Sequence, residues 1–453
     1  MSRPAFTFVD LFAGIGGFHA ALSAMGGECV YGVEIDPAAA AVYRRNWGMD
    51  ILGDITADAS DTTMRVPRHD VLCAGFPCQP FSKSGAQRGM EETRGTLYWN
   101  ILKVIQVRRP AVVLLENVRN LAGPRHQHEW DVIIDTLRSE GYRVSGAPAV
   151  FSPHLLPREL GGRPQVRERV FITATRLPRG RGHSPVAEPV ADNRPIAGWD
   201  PWTWNLDEGL PLDADHEVEG CELTDAERLW IDAWDDFVQR MWEARSGRRL
   251  PGFPLWADHW VIPSSLDERE LEHEPKWKAD FMRKNAAFYA EHRKVIDRWT
   301  KRWDVYSDAF PPSRRKLEWQ AQDTPRLWET VMHFRPSGIR AKRPTYLPAL
   351  VAIAQTSIVG SRGRRLSPRE AARLQGLPEW FDFGGQSPAV TYRQLGNGVS
   401  VGAVWHILRR HVERDQDVLR VTRPALLEAV FKAPGCPDEV LEQMGPDRDD
   451  AVA

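Results

Sequence analysis

At 453 residues the chain is long for one domain, and a hydrophobic share of 42% is enough for a sizeable core, so two or three domains are expected. No apolar run is long enough to cross a membrane, and the first residues lead into a strand pattern without the apolar segment of a signal peptide. The formal net charge of −2 excludes a uniformly basic surface, so any nucleic-acid contact must be local. The five cysteines are scattered and form no Cys-x-x-Cys pair. This argues against zinc and a disulfide framework, so we expect no metal and a reducing compartment.

The chain begins with a strand, a glycine-rich loop and a helix. Residues 6–11 are apolar, residues 12–17 read FAGIGG, and residues 18–25 have helical periodicity. This order lets backbone N–H groups approach a ligand at a helix N-terminus. The spacing is not G-x-G-x-x-G and no Walker lysine follows, so neither a dinucleotide nor a triphosphate is indicated. The alternative is a tight turn that requires positive φ.

Two acidic residues follow the next predicted strands. Glu34 ends a strand over residues 29–33, about twenty residues past the glycine loop, where a carboxylate can accept hydrogen bonds from ribose hydroxyls. Its alternative role is a helix N-terminal carboxylate before Pro37. Asp54 lies where a short third strand is predicted to end, and it either contacts an adenine amino group or caps a turn.

Cys78 lies in the segment AGFPCQPFS, residues 74–82, directly after a predicted buried strand at residues 71–73. Glycine and two prolines place it on a stiff loop at the carboxyl end of that strand, where open α/β sheets bind ligands. A thiolate held there can be a nucleophile. The alternative is a small buried side chain on a proline-rich turn. The polar, basic residues 83–89 that follow could form a lid.

Glu116 ends another apolar run, residues 111–115, which is typical of a central parallel strand. A carboxylate at that position is costly without a function or a partner, and it would lie beside Cys78 if the two strands are neighbours. A helix over residues 130–141 and strands over 142–150 and 169–174 are predicted next. Alternation would put Arg167 and Arg169 on one face, either as a clamp on phosphate or substrate or as a solvated edge.

The middle of the chain has a different composition. Thirteen of the eighteen tryptophans lie between residues 176 and 342, after a linker-like segment at 177–182. Thr224 begins a capping box for a helix to about residue 244, whose aromatic stripe favours core packing. Residues 276–303 form a basic amphipathic pattern, which is either a solvated face or a phosphate contact. Residues 335–344 are basic and loop-like, and arginines there could reach guanine edges.

Near the end, residues 368–375 are predicted to be helical, residues 384–388 resemble a hinge, and residues 426–431 are short and helical in pattern. The tail beyond about residue 412 is charged and proline-bearing, and its end is expected to be frayed.

The ordered set of motifs resembles the DNA (cytosine-5)-methyltransferases of prokaryotic restriction–modification systems. Gly398 is a departure, since many relatives carry serine there. The matching segments are residues 10–17 (DLFAGIGG), 34–36 (EID), 53–55 (GDI), 75–82 (GFPCQPFS), 116–118 (ENV), 165–169 (QVRER), 365–376 (RLSPREAARLQG) and 394–399 (QLGNGV).

The resemblance implies an α/β fold, the Rossmann-like class I sheet of S-adenosylmethionine-dependent methyltransferases, with a smaller, variable target-recognition domain. The implied catalytic residues are Cys78, Glu116, Arg167 and Arg169. The implied cofactor-binding residues are Phe12, Gly14, Ile15, Gly16, Gly17, Glu34, Ile35, Asp54, Ile55, Pro77, Asn397 and Val399. The expected DNA-contacting residues are Phe76, Gln79, Ser82, Asn117, Val118, Gln165, Arg335, Arg340, Lys342 and Arg343.

The resemblance also implies a reaction. Cys78 would add to C6 of a flipped-out cytosine, Glu116 would hydrogen-bond N3, and C5 would take the methyl group from S-adenosylmethionine. The expected domains are a catalytic domain over 1–176, a recognition domain over 177–387, a returning segment over 388–412 and a tail over 413–453. We expect a cytoplasmic, nucleoid-associated monomer that acts on double-stranded DNA, with a cognate restriction endonuclease as partner. The alternatives are a tRNA cytosine-5 methyltransferase and a catalytically silent DNA-binding module.

Overall fold

The computed structural model describes residues 4–77, 96–178, 187–266, 268–352 and 356–445. The chain forms two compact units. The first, the catalytic unit, comprises Met1–Pro211, Pro348–Ala354 and Pro368–Ala453, and the second, the inserted unit, comprises Leu212–Leu347 and Gln355–Ser367. The first segment of the catalytic unit ends at Pro211, where residue 176 was expected. The chain then returns to this unit first at Pro348, where residue 388 was expected.

The catalytic unit is built on a seven-stranded mixed sheet. Its strands follow the order β2-β1-β3-β4-β8-β5, and β6 also pairs with β8. The strands of this unit, with the short β7, are β1 (Phe6–Leu11), β2 (Gly27–Val33), β3 (Val71–Gly75), β4 (Val112–Val118), β5 (Tyr142–Val144), β6 (Ala149–Phe151), β7 (Gln165–Val166) and β8 (Arg169–Arg176).

The first four strands of this sheet are parallel, while β8 runs antiparallel to its neighbours β4, β5 and β6. The chain passes from β1 to β2 on one side and then crosses to β3 on the other. The carboxyl ends of β1 and β3 therefore flank the point where the strand order reverses, which is where open α/β sheets bind ligands. The expected class I fold is confirmed.

Helices pack around the sheet, and their ends follow the sequence signals. Asp36 caps the helix Pro37–Trp47 by accepting hydrogen bonds from the N–H groups of Ala38 and Ala39, and Gly48 ends that helix with φ +68°. The helices of the catalytic unit are Gly17–Ala24, Pro37–Trp47, Ile55–Asp58, Leu97–Arg108, Gln127–Ser139, Leu206–Gly209, Pro368–Gln375, Pro388–Asn397, Val401–Arg414, Gln416–Thr422, Pro424–Lys432 and Asp438–Gln443.

Two strand predictions in this unit were wrong. The predicted third strand near residue 54 is a single bridge between Glu34 and Leu52, followed by one helical turn, because the Asp54 carboxylate caps that turn at the N–H of Thr56. The predicted strand over residues 142–150 is broken into β5 and β6, since a turn held by Ser145 interrupts it.

The charged tail over residues 413–445 is largely helical, and its helix Pro424–Lys432 contains the predicted helix over residues 426–431. Charged side chains in this segment pair with the sheet domain instead of facing only solvent. Arg143 on β5 bonds Asp417 at 2.9 and 3.0 Å, and Arg423 bonds Asp70 at 2.6 Å. These long-range ion pairs could not be expected from the sequence, because charged residues with distant partners have the same local pattern as solvated ones.

The inserted unit packs helices on one face of a six-stranded sheet with the order β15-β14-β11-β12-β10-β9. Its helices are Asp225–Ala244, Glu268–His273 and Lys276–Trp303. The strands, with β13 at the boundary between the two units, are β9 (Leu255–Trp256), β10 (Lys316–Gln320), β11 (Val331–Arg335), β12 (Gly338–Lys342), β13 (Leu347–Pro348), β14 (Ile358–Val359) and β15 (Arg364–Arg365).

Thr224 forms the expected capping box with Glu227. The expected aromatic stripe is core, because Trp234, Phe237 and Met241 are fully buried in one hydrophobic cluster. The basic segment is one 28-residue helix with a non-helical residue at His292.

The predicted loop over residues 335–344 was wrong. Strands β11 and β12 form an antiparallel hairpin whose turn lies between Arg335 and Gly338, where Gly338 has φ +135°. Ile339 and Ala341 are buried and alternate with Arg340 and Lys342. Basic residues at every second position are therefore a strand signal that the proline and glycine content concealed. In the described parts of the chain, no helix is long and apolar enough to cross a membrane.

Candidate active site

A cavity of about 430 Å³ lies in the catalytic unit at the carboxyl ends of β1 to β4. Most of the predicted site residues of this unit meet there. The predicted residues that line it are Phe12, Gly14, Glu34, Ile35, Asp54, Ile55, Phe76, Pro77, Glu116, Asn117, Val118, Arg169 and Asn397. Cys78, Gln79 and Ser82 lie outside the described residues.

The glycine loop approaches the cavity through one of its glycines. Gly14 has φ +56°, and a Cβ atom built there would meet nothing within 4 Å, so its backbone is open to a ligand. Gly16 instead makes room for Trp47, whose indole Nε1 donates to the carbonyl of Ile15 at 3.1 Å. Gly17 lies against Val399, where a Cβ atom would come within 2.8 Å of Cγ1 and of the carbonyl oxygen. Ile15, Gly16, Gly17 and Val399 therefore shape the loop from behind without lining the cavity.

Glu34 joins the ends of β1 and β2. Its carboxylate accepts from the N–H of Gly14 at 2.9 Å and from the N–H of Asp36 at 2.8 Å. Each carboxylate oxygen can accept a further hydrogen bond, so ligand hydroxyls can still bind Glu34. Ile35, beside it, is 70% exposed on the cavity rim, and Asp54 and Ile55 line another part of the wall.

Glu116 lies at the end of β4, paired with Gly75 at the end of β3, so its strand neighbours the strand that leads to Cys78. Its Oε1 is 2.9 Å from Nε of Arg169. Burial raises the pKa of Glu116 above its ordinary value, although Arg169 and Arg167 act to lower it. The carboxyl group is thus biased toward its protonated form, in which it can donate a hydrogen bond.

Arg167 does not line this cavity. It is 1% exposed, and its guanidinium donates to three backbone carbonyls: Leu350 at 2.6 Å, Gly396 at 2.8 Å and Gly398 at 2.5 Å. Arg167 and Arg169, which were expected to lie on one face, therefore have different contacts. Arg169 contacts Glu116, while Arg167 holds the turn on either side of Asn397, which lines the cavity.

The remaining predicted residues near β4 are mainly structural in their contacts. Asn117 donates from its side chain to the carbonyl of Phe76 at 2.8 Å and so joins the ends of β3 and β4. Val118 is 42% exposed on the wall. Gln165 is fully buried, and neither atom of its amide has a hydrogen-bond partner in the described structure.

Sequence reasoning missed several wall residues and one buried polar cluster. Arg393 and Gln394, on the helix Pro388–Asn397, line the cavity. The sequence feature that could have identified Arg393 is helical spacing, because Arg393 and Asn397 are four residues apart and share one face of the helix. Behind the glycine loop, His19 bonds the hydroxyl of Tyr43 at 2.6 Å beside the buried carboxyl of Asp10, whose pKa burial raises well above its ordinary value.

The four basic residues predicted to contact DNA lie in the inserted unit. Arg340 pairs with Glu318 at 2.5 Å, and Arg343 pairs with Asp323. Arg335 and Lys342 lie on the same face of the hairpin as Arg340.

Comparisons with known proteins agree with this architecture. The model of the C-5 cytosine-specific DNA methylase family matches residues 6–413. The chain is 54% identical over 490 aligned positions to the type II methyltransferase M.AluI of Cellulosimicrobium cellulans, covering 92% of this chain and 94% of that protein. It is 42% identical over 169 residues to M.HhaI of Haemophilus parahaemolyticus, covering 37% of this chain and 49% of that relative. The chain therefore belongs to the C-5 cytosine-specific DNA methylases and is a DNA (cytosine-5)-methyltransferase of the restriction–modification type.

Proposed function

We propose that this enzyme transfers a methyl group from S-adenosylmethionine to C5 of a cytosine flipped out of a specific duplex DNA sequence, through a covalent bond between Cys78 and C6. The observation that carries the proposal is that the same cavity is lined by Gly14 and Glu34 at one side and by Glu116 with Arg169 at the other. Cofactor and base can meet there because the loop to Cys78 leaves β3 beside Glu116.

The residues present fit an adenosyl cofactor. The open backbone at Gly14 leaves space that any Cβ atom would occupy, and Glu34 retains acceptor capacity for ribose hydroxyls. The exposed side chain of Ile35 offers an apolar contact for an adenine ring, and Asp54 offers an acceptor. When bound, S-adenosylmethionine supplies an electrophilic methyl group on a sulfonium.

The protein's own groups activate the base. The thiolate of Cys78 adds to C6, and the electron pair of the C5–C6 double bond moves into the ring toward N3. Glu116, whose pKa burial raises, donates a hydrogen bond to N3 from its protonated form and stabilises that charge. Arg169 holds the Glu116 carboxyl group in place. After methylation, the C5 proton passes to solvent, the electron pair of the C5–H bond forms the C5–C6 double bond again, and the Cys78 thiolate leaves C6.

The depth of Glu116 supports base flipping. Only 10% of the Glu116 side chain is exposed, so a base stacked inside a duplex could not reach it. The similarity to M.AluI over most of both chains supports duplex DNA as substrate and a cognate restriction endonuclease acting on the same site.

The decisive experiment measures transfer of a tritiated methyl group to duplex DNA and to tRNA. We expect incorporation into DNA only, and bisulfite sequencing of DNA from expressing cells would then identify the modified site. Cys78→Ser should abolish turnover yet retain binding of DNA and cofactor, while the matched Cys436→Ser should remain active. Incorporation into tRNA alone, or turnover by Cys78→Ser, would contradict the proposal.

A duplex that carries 5-fluorocytosine at the modified site tests the covalent step. Fluorine at C5 cannot leave as a proton does, so elimination of the Cys78 thiolate is blocked after methylation. We expect a denaturation-resistant protein–DNA adduct with the wild-type enzyme and none with Cys78→Ser. An adduct with both proteins would assign the nucleophile to another residue.

A further inference from the structure

One face of the sheet in the inserted unit is polar and mainly positive. Alternation along β10, β11 and β12 sends Leu317, Phe334 and Ile339 into the core and the intervening residues to the other side. The register then brings those residues together, because Arg340 is paired with Glu318 on one side and with His333 on the other. The charged side chains and the histidine on this face, which we call the polar sheet face, are Lys316, Glu318, His333, Arg335, Arg340 and Lys342. Gln320 and the buried Val331, which both pair with Lys342, lie on the same face.

The charges on the polar sheet face do not balance. It carries four cations and one carboxylate, and that carboxylate, Glu318, pairs with Arg340 at 2.5 Å. Within the described chain, Arg335 and Lys342 have no acidic partner. Gly338 pairs with Arg335, and a Cβ atom on Gly338 would come within 2.8 Å of the Cβ atom of Lys316, so no side chain separates these two cations.

The cations on this face act on each other. Burial, and then the positive charges of Arg340 and Arg335, lower the pKa of Lys342. Burial lowers the pKa of His333 to about 4, and Arg335, Arg340 and Lys342 contribute in the same direction. Repulsion of this kind is relieved when an anion binds among the charges.

The basic helix Lys276–Trp303 is the competing surface, and ion pairs with carboxylates of the described chain involve four of its nine lysines and arginines. Lys278 pairs with Glu274, Lys284 with Asp280, and Arg293 with Asp297. Its buried residues join the same hydrophobic cluster as the inner face of the sheet, so its exposed face points away from the polar sheet face. A duplex lying along one of these surfaces cannot also lie along the other.

We propose that the polar sheet face binds the phosphodiester backbone of the substrate duplex, with Arg335 and Lys342 as phosphate contacts, and that the basic helix remains solvated. This rests on the proposed function, because it assumes duplex DNA as the substrate. Phosphate contacts position a duplex without reading its sequence. The polar sheet face thus supplies affinity, and Arg340, already paired with Glu318, contributes less to the salt dependence.

The test compares binding of a short fluorescent duplex over a range of salt concentrations for two double variants of the full chain. Each phosphate contact contributes about 0.9 to the slope of log affinity against log salt. Arg335→Gln with Lys342→Gln should therefore reduce the slope by about 1.8. The matched control, Lys294→Gln with Arg298→Gln on the exposed face of the helix, should leave the slope unchanged. Arg335→Lys should retain the wild-type slope, because the positive charge is kept.

The outcomes separate this inference from the proposed function. If the wild-type enzyme methylates duplex DNA and only the helix variant loses slope, the inference is overturned and the function stands. An unchanged slope in the sheet variant also overturns it. If the wild-type enzyme transfers no methyl group to DNA, the function itself fails. Circular dichroism of both variants establishes that neither result comes from unfolding.

Discussion

Arg169 and Glu116 form an ion pair of 2.9 Å at the base of the cavity, and yet burial keeps the pKa of Glu116 above its ordinary value. The two residues come from neighbouring antiparallel strands, β8 and β4. Desolvation of the carboxylate thus outweighs the attraction of the guanidinium, which limits the rise without reversing it. Glu116 can donate a proton or a hydrogen bond while Arg169 fixes its position.

Replacing Arg169 should move the pH dependence of the reaction. In Arg169→Gln the cation that favours the charged carboxylate is gone, so the pKa of Glu116 rises further. If protonated Glu116 is the active form, the alkaline limb of kcat/KM should shift to higher pH while the maximal rate falls. The measurement is a pH profile of methyl transfer.

Glu116→Gln provides the companion variant. Glutamine cannot deprotonate, so this alkaline limb should be absent, and the rate should fall by about 10²–10⁴ because the proton donor is lost. Glu140→Gln removes a carboxylate that bonds Arg109 and Gln106, each at 2.9 Å and neither in the cavity wall, so it should behave as wild type. A shift of the Arg169→Gln limb to lower pH would contradict the assignment.

Arg167 should act on cofactor binding through the backbone. Its guanidinium holds the carbonyls of Gly396 and Gly398 on either side of Asn397. Lysine keeps the charge but cannot bond in several fixed directions. Arg167→Lys should therefore weaken cofactor binding about tenfold, as expected for about 1.4 kcal/mol, with a smaller effect on kcat. Equilibrium dialysis with labelled cofactor measures this.

Arg163 offers a matched control for Arg167. It is also buried, and it donates to the carbonyls of Arg373 and Gly162 and to Asp438, none of which line the cavity. Arg163→Lys should lower thermal stability but leave cofactor affinity unchanged. Equal losses of affinity in both variants would show that Arg167 contributes only general stability.

The glycines of the loop should separate binding from stability. Gly14→Ala adds a methyl group that meets no protein atom, at a cost of about 1–2 kcal/mol for the left-handed backbone, and should weaken cofactor binding. Gly16→Ala collides with the Trp47 indole and should lower the melting temperature much further. Calorimetry with and without cofactor distinguishes these effects. Equal destabilisation in both variants would contradict the distinction.

Much of this site could be predicted because local sequence patterns determine strand ends and turns. The run before Glu116 and the proline-braced turn after β3 each indicate a buried strand followed by a loop, and parallel strands bring such ends together. The sequence could not separate Arg167 from Arg169. That difference depends on which carbonyls approach each guanidinium, and Leu350 and Gly396 are far away along the chain.

The β11–β12 hairpin and the chain after residue 414 show the same limit of prediction from sequence. The sequence over residues 335–344 resembles a loop because pairing with the neighbouring strands, not local propensity, decides its conformation. The charged residues after residue 414 resemble a solvated tail because their partners, such as Arg143 and Asp70, lie on β5 and next to β3. Tertiary ion pairs cannot be recognised from composition alone.

His411 should make the fold sensitive to acid. It is fully buried, its Nε2 is 2.9 Å from the hydroxyl of Thr175, and Arg414 donates to its Nδ1 at 3.1 Å. Burial lowers its pKa from 6.5 to about 3. Below pH 6.5 the unfolded chain therefore binds a proton that the folded chain does not bind until about pH 3, so stability is lost as the pH falls through 6.5.

His411→Gln keeps hydrogen-bonding capacity but cannot titrate. Between about pH 6 and pH 4, the free energy of unfolding of the wild type should fall relative to this variant by about 1.4 kcal/mol per pH unit. Urea denaturation at several pH values measures the difference, with His216→Gln, at a solvent-exposed histidine, as the control that should follow the wild type. Parallel curves for wild type and His411→Gln would mean that His411 binds its proton equally in the folded and unfolded chain, and the acid sensitivity would then have to come from other groups.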